Sequence, residues 1–194
     1  MKNISSMKRV LVAGSTGAGK TTLARAIAGR FAIPFHEMDA LAIVGPHWEE
    51  NPRLLEEVSR IRSGSSWIFD SFGYPQVRDL LWSRADTVVW LDYSRPVIMR
   101  RILRRSAART LLRRRIFGGN IETLGDWFKA DHPAWWAWSQ HAHRRVDIAV
   151  RCAAPRFAPL DVIHLATPQE ARLWLNDTTA TGDRANGESG DSER

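Results

Sequence analysis

Short apolar runs alternate along this chain with longer stretches in which apolar residues return every three or four positions. Arg9–Ala13 is the first run and stops at Gly14, the pattern of a strand buried in a parallel sheet. Thr21–Phe31 follows, with Leu23, Ala24, Ile27, Ala28 and Phe31 at helical spacing. Ile33–Met38 predicts a second strand ending at Asp39, and Asn51–Arg62 a helix carrying Leu54, Leu55, Val58 and Ile61. Trp67–Phe69 predicts a third strand ending at Asp70, Pro75–Arg84 a helix with Val77, Leu80 and Leu81 inward, and Thr87–Leu91 a fourth strand. Arg95–Arg115 reads as a long arginine-rich helix with Pro96 near its start, where proline is tolerated. Val162–Leu165 and Pro168–Leu175 complete the series as a fifth strand and a last helix.

Strands alternating with helices imply right-handed βαβ units and a parallel sheet covered on both faces. The expected fold class is α/β, a three-layer sandwich whose ligands gather at the carboxyl ends of the strands. Gly14, Asp39 and Asp70 stand at such ends. Asp92 also ends a strand but directly precedes a helix, which favours a capping role. Gly118–His143 breaks the pattern, with glycines followed by Trp127, Trp135, Trp136 and Trp138. Residues of about 113–143 therefore read as a lid and tryptophan-rich insertion within a domain spanning 9–175, after an N-terminal tail at 1–8.

Composition narrows the reading. A chain of 194 residues fits one α/β domain with tails. The single cysteine, Cys152, excludes an intrachain disulfide framework, and a reducing, cytoplasmic setting is expected. The polar start of the chain lacks the apolar core of a secretory signal, and no run of about 18 apolar residues suggests a membrane span. The formal charge is +7, although residues 176–194 hold five acids (Asp177, Asp183, Glu188, Asp191, Glu193) against two arginines. That segment is expected to be a disordered acidic tail, which makes the body more basic than the total. A basic body suits anionic ligands, nucleotide or nucleic acid.

One motif carries chemistry. Gly14-Ser15-Thr16-Gly17-Ala18-Gly19-Lys20-Thr21 matches G-x-x-x-x-G-K-[ST], lies between a predicted strand and a predicted helix, and is followed by Thr22. Glycines let the loop curl with its N–H groups pointing inward, and the helix adds its positive end. Lys20 would reach the β- and γ-phosphates of ATP, and Thr21 would offer a hydroxyl to Mg²⁺. Asp39 and Asp70 leave two roles open. Each is a cap or turn residue, or a carboxylate that orders metal-bound water or accepts an acceptor's hydroxyl proton. The arginine helix holds nine arginines and no acid, with Arg100 and Arg104 on one face and Arg101 and Arg105 on another. Such forks grip phosphate and spread transition-state charge, although most are expected to be solvated. The tryptophans are expected to pack in core or lid. His36, His132, His141, His143 and Cys152 lack the spacing of a zinc site.

With these elements in place the chain resembles the nucleoside-monophosphate-kinase-like P-loop kinases. More narrowly, it resembles the bacterial group described as DNA topology modulation protein-related or adenylate-kinase-like. The resemblance rests on Gly14–Thr22, Phe35–Leu41, Trp67–Phe72, Ala85–Asp92, Gly119–Leu124 and the ending His164–Leu175. It implies a five-stranded sheet ordered 2-3-1-4-5 and a helical lid after the arginine helix. It also implies Asp39 facing the acceptor, Asp70 near Mg²⁺ or the acceptor, Arg100 or Arg104 on phosphates, and Ala166–Pro168 bordering adenine. Asp70 is followed by Ser71-Phe72-Gly73-Tyr74-Pro75, without the Pro-Arg pair of true adenylate kinases, and Ile121 stands where the narrower group often has arginine. AMP is therefore not carried over as the acceptor.

The expected activity is transfer of the γ-phosphoryl of Mg-ATP to a small acceptor, of which a nucleoside monophosphate is one. The rival readings are a nucleic-acid-linked protein, such as a polynucleotide 5′-hydroxyl kinase or a regulator of DNA topology, and an acceptor-free ATP switch. No Asn-Lys-x-Asp guanine motif is present, which argues against a GTPase.

Overall fold

A computed structural model describes residues 7–45, 49–111 and 133–187. The strands are β1 (Arg9–Gly14), β2 (Phe35–His36), β3 (Trp67–Phe69), β4 (Thr87–Leu91) and β5 (Asp161–Leu165). They form one sheet in the order β2-β3-β1-β4-β5, and every pair is parallel. β1 lies at the centre, with Val10 opposite Ile68 on one side and Thr87 on the other.

The two-residue period of β1 divides the core. Val10 and Val12 face α1 (Lys20–Phe31), α5 (Arg95–Leu111) and α7 (Pro168–Gly187), where they meet Leu23, Ile27, Ile98, Ile102 and Ala171. Leu11 and Ala13 face α2 (Met38–Ala42), α3 (Leu54–Ser63), α4 (Pro75–Trp82) and α6 (Pro133–Ala153), against Met38, Val58, Leu81 and Ile148. Trp67, Phe69 and Trp82 are fully buried on that second face. Burial of each such side chain contributes on the order of 1.5–3 kcal/mol.

Three boundaries differ from the sequence expectation. β2 holds two residues where Ile33–Met38 is expected. Ala32 takes a left-handed φ of 51°, Pro34 has no amide, and the Met38 amide is drawn to Asp70, so α2 begins at Met38. Asp39 consequently lies in the first turn of α2, not at the end of a strand. α3 starts at Leu54 because Asn51 forms a turn before it: its Oδ1 accepts from the Arg53 amide and its Nδ2 donates to the Leu41 carbonyl. α7 continues past Leu175 to Gly187, through much of the segment that composition assigns to a disordered tail. A helix already nucleated and docked through Ala171 extends at low cost, even over weak helix formers.

Residues 112–132, which include much of the expected lid and Trp127, lie outside the described residues, as do Trp48 and residues 188–194. Trp135 and Trp138 lie on α6 and are half-exposed, at 57% and 51%, so neither is a core residue. The Arg95 guanidinium sits over the Trp138 ring at 4.8 Å.

Candidate active site

The phosphate loop joins the central strand to α1 and takes its shape from what packs beneath it. Gly17 has φ +83°, and a β-carbon there would meet Ile102 Cγ1 at 2.5 Å, so α5 leaves room for glycine alone. Gly19, at φ +93°, precedes α1 and gives it no side-chain cap. The leading amides of a helix have no intrahelical partner, and α1 has no acidic residue in its first turn. Its positive end is therefore left to an external anion.

Lys20 folds back over the loop, its Nζ donating to the Ser15 carbonyl at 3.1 Å. Burial of the ammonium pushes its pKa down, while Asp39 and Asp70 oppose that shift and Arg144 and Arg105 add to it. The amine thus lies within electrostatic reach of both aspartates that the sequence singles out.

Asp70, buried just beyond β3, holds two neighbours at once. Its Oδ2 accepts the Thr21 hydroxyl at 2.5 Å and its Oδ1 accepts the Met38 amide at 2.9 Å. Asp70 thus holds the start of α2, the turn role the sequence allows, and also orients the loop's hydroxyl. By donating its proton to Asp70, Thr21 keeps its oxygen lone pairs for another partner. Thr21 and Asp70 are oxygen donors of the kind that suit Mg²⁺. Among the described residues no three His, Cys, Asp or Glu side chains form a metal-holding group.

Asp39 is exposed and accepts the Tyr74 hydroxyl at 3.1 Å. Burial, followed by the charge of Asp39, pushes the Tyr74 pKa well up, so the phenol keeps its proton and remains a donor to Asp39. Glu37 is beside them, tied to Arg25 at 2.6 Å; burial raises its pKa, with Asp70 adding to the effect.

The arginine helix differs from expectation by one position. Arg100 and Arg104 are exposed, whereas Arg101 reaches the loop. Its Nη1 donates to the Ala18 carbonyl at 2.6 Å, and its guanidinium lies over the Tyr93 ring at 5.1 Å. Ile98 and Ile102 point into the core, and that sets which arginine face turns to the loop. Arg105, on the same face, and Arg144 of α6 both act on Lys20.

Beyond the ends of β4 and β5, polar side chains make contacts that the apolar pattern does not predict. The Asp92 side chain is 4% exposed and forms no helix cap; it pairs with Arg145 at 2.8 Å and with His164 at 2.9 Å. His141 Nε2 lies 2.9 Å from the Tyr93 carbonyl. At Ala166–Pro168, where adenine is expected, Thr167 and Glu170 form a reciprocal cap on α7: the Glu170 amide donates to Thr167 Oγ1 at 3.1 Å, and the Thr167 hydroxyl donates to Glu170 at 3.0 Å. Thr167-Pro168-Gln169-Glu170 is a capping-box pattern that sequence alone could have revealed.

A family model described as ATPase family associated with various cellular activities (AAA) matches residues 10–70, which carry the phosphate loop, Asp39 and Asp70. No curated protein matches the chain in sequence. Among solved structures, a gluconokinase from Sinorhizobium meliloti is similar at 17% identity and TM-score 0.50, with 94% of this chain and 97% of that chain covered. A shikimate kinase from Acinetobacter baumannii, in complex with shikimate, is 14% identical, with 92% and 94% covered and a TM-score of 0.47. A deoxyadenosine kinase from M. mycoides with bound dCTP is 12% identical, with 88% and 98% covered and a TM-score of 0.47. At such identities the likeness is one of fold. The all-parallel sheet ordered 2-3-1-4-5, with helices on both faces and the phosphate loop after its central strand, is a P-loop NTPase kinase fold.

Proposed function

We propose that this protein is an ATP-dependent phosphotransferase that moves the γ-phosphoryl group of Mg-ATP to the hydroxyl of a small acceptor. The observation that carries the reading is the convergence on one loop of the Lys20 ammonium, the Thr21 hydroxyl bonded to Asp70, and the Arg101 guanidinium, with Asp39 within electrostatic reach of Lys20.

In this reading the loop amides and the start of α1 bind the phosphates. Lys20 and Arg101 stabilise charge on the transferring group, while Asp39, held by Tyr74, orients the acceptor hydroxyl and accepts its proton. Thr21 and Asp70 are the residues that would hold Mg²⁺, which when bound offsets phosphate charge. Lys20 loses its contact with the Ser15 carbonyl as it turns to phosphate, and the added negative charge raises its lowered pKa.

The test is ADP release from Mg-ATP over a panel of hydroxyl acceptors, with Lys20→Ala as control. Acceptor-dependent release that disappears in Lys20→Ala supports the reading. Near-normal release in that variant would refute the site.

A further inference from the structure

Tyr93 lies two residues past β4, is 3% exposed, and is gripped from two helices. From α6, the buried His141 brings Nε2 to 2.9 Å from the Tyr93 carbonyl. A carbonyl only accepts, so Nε2 carries a proton and donates it. From α5, the Arg101 guanidinium lies over the Tyr93 ring at 5.1 Å. Burial pushes the Tyr93 pKa up and the charge of Arg101 opposes that shift. The ring therefore presents a neutral phenol to the cation.

Ala137, one turn before His141, is buried in the same cluster as Tyr93, Ile98 and Ile102. So small a side chain lets α6 close against α5, and the closure delivers the imidazole to the backbone that follows β4. α6 is thereby tied to Tyr93, and Tyr93 to Arg101.

Arg101 carries the tie on to the phosphate loop. Its Nη1 donates to the Ala18 carbonyl at 2.6 Å. In a trans peptide the carbonyl of one residue and the N–H of the next point to opposite sides. Holding the Ala18 carbonyl toward α5 therefore turns the Gly19 N–H away from α5. The two partners are also matched in size. Gly19 has φ +93°, and a β-carbon there would lie 3.1 Å from Arg101 Nη1. Gly19 directly precedes α1, where backbone amides gather to meet an anion.

We propose that Tyr93 and His141 are positioning residues for the nucleotide's phosphates. His141 fixes the Tyr93 backbone, the Tyr93 ring seats Arg101, and Arg101 sets the direction of the Gly19 amide. Both residues act through Arg101. The inference rests on the phosphate-binding half of the reading above and needs no acceptor, so it extends the site from the loop to α6.

The experiment measures ADP affinity by titration calorimetry in His141→Leu, Tyr93→Leu, Arg101→Met and the two double variants that include Arg101→Met. Arg101→Met should weaken ADP binding by about tenfold to a hundredfold, the range of charge-assisted hydrogen bonds. Tyr93→Leu and His141→Leu should each weaken it by about threefold to tenfold, through loss of the ring beneath the cation or of one buried hydrogen bond. Added to Arg101→Met, either change should cost less than about twofold more, because its effect passes through the arginine already removed. Tyr93→Phe keeps the ring and His141→Gln keeps a donor, so each should lose less affinity than its leucine counterpart. Equal losses with and without Arg101 overturn the inference, since the two residues would then serve the fold alone. Wild-type affinity in both leucine variants overturns it as well, whatever denaturant unfolding shows of their stability. If the unaltered protein binds no ADP, the phosphate site fails and this inference fails with it. If ADP binds but no acceptor raises turnover, phosphotransfer fails and the cycle with Arg101 still decides the inference. Should Tyr93→Leu not fold, the His141 variants and their cycle with Arg101→Met decide.

Discussion

Two buried aspartates stand beyond the strands that flank β1, and their surroundings could hardly differ more. Asp70, after β3, is met by a hydroxyl and a backbone amide, both neutral. Asp92, after β4, is met by a guanidinium and an imidazole. Neutral donors fix the position of Asp70 and leave its charge free to act on Lys20. The Arg145 guanidinium neutralises Asp92, and its two partners join β4, β5 and α6. Position at a strand end nominates a residue for chemistry, but the charge of its partners decides whether that charge is still available.

The comparison is broken most forcefully at Lys20, which responds to the charge of Asp70. Lys20→Met should lower phosphoryl transfer by about a hundredfold or more, as loss of a preorganised charge contact does. The same change should raise the melting temperature of the nucleotide-free protein at pH 7. The folded-state pKa of Lys20 lies below its ordinary 10.5, so its protonated form opposes folding. That penalty is fully present below the folded pKa and disappears as pH rises toward 10.5. Melting curves at pH 7 and above pH 10.5 check both the gain and its disappearance.

Asp70→Asn keeps the shape and removes the charge. Apparent Mg²⁺ affinity in the ATP reaction should fall by about 10–100-fold. Stability should fall by about 1–3 kcal/mol as the contacts to Thr21 and Met38 weaken; magnesium titration and denaturant unfolding separate the two. Arg145→Ala tests the other aspartate. It leaves a buried carboxylate with His164 alone, and should cost about 1–2 kcal/mol, reduced because Arg145 is itself 58% exposed. The Michaelis constant for ATP should stay near wild type. A large rise in that constant would place Asp92 in the site and dissolve the contrast. The smallest effect is expected of His164→Gln, whose ring is 47% exposed: about 0.5–1 kcal/mol by thermal unfolding, with turnover unchanged.

Much of this arrangement can be read from the sequence, and the rest fails for physical reasons. β1, β3 and β4 are continuous apolar runs because a parallel sheet buries both faces, so Arg9–Ala13, Trp67–Phe69 and Thr87–Leu91 stand out. The phosphate loop stands out because glycine spacing, lysine and threonine are each required by the ligand's shape. β2 does not, since its length is set by a contact from Asp70, more than thirty residues away in sequence. The arginine helix offers two faces of equal composition; only the seating of Ile102 against Gly17 turns Arg101 inward and leaves Arg100 and Arg104 outside. α6 beyond His143 is hidden because Arg144, Arg145 and Asp147 interrupt any apolar stripe, leaving Ile148 as its deeply buried anchor. The sheet order, with the phosphate loop after its central strand, agrees with the broader resemblance at the level of fold, and the narrower bacterial group is left without support.

The central place of β1 also sets an order of events during synthesis. β1 leaves the ribosome before the two strands it pairs with, β3 and β4, and makes no ladder with β2. Its partners begin at Trp67 and Thr87, so the strand that carries the phosphate loop waits for both before it is enclosed. At translation rates of about 5–20 residues per second, that wait lasts several seconds. Nascent chains stalled before Trp67 should retain no ATP analogue, and retention should begin once β4 and the α5 residues that seat Gly17 have emerged. The nucleotide would then serve as a clock for the closing of the sheet.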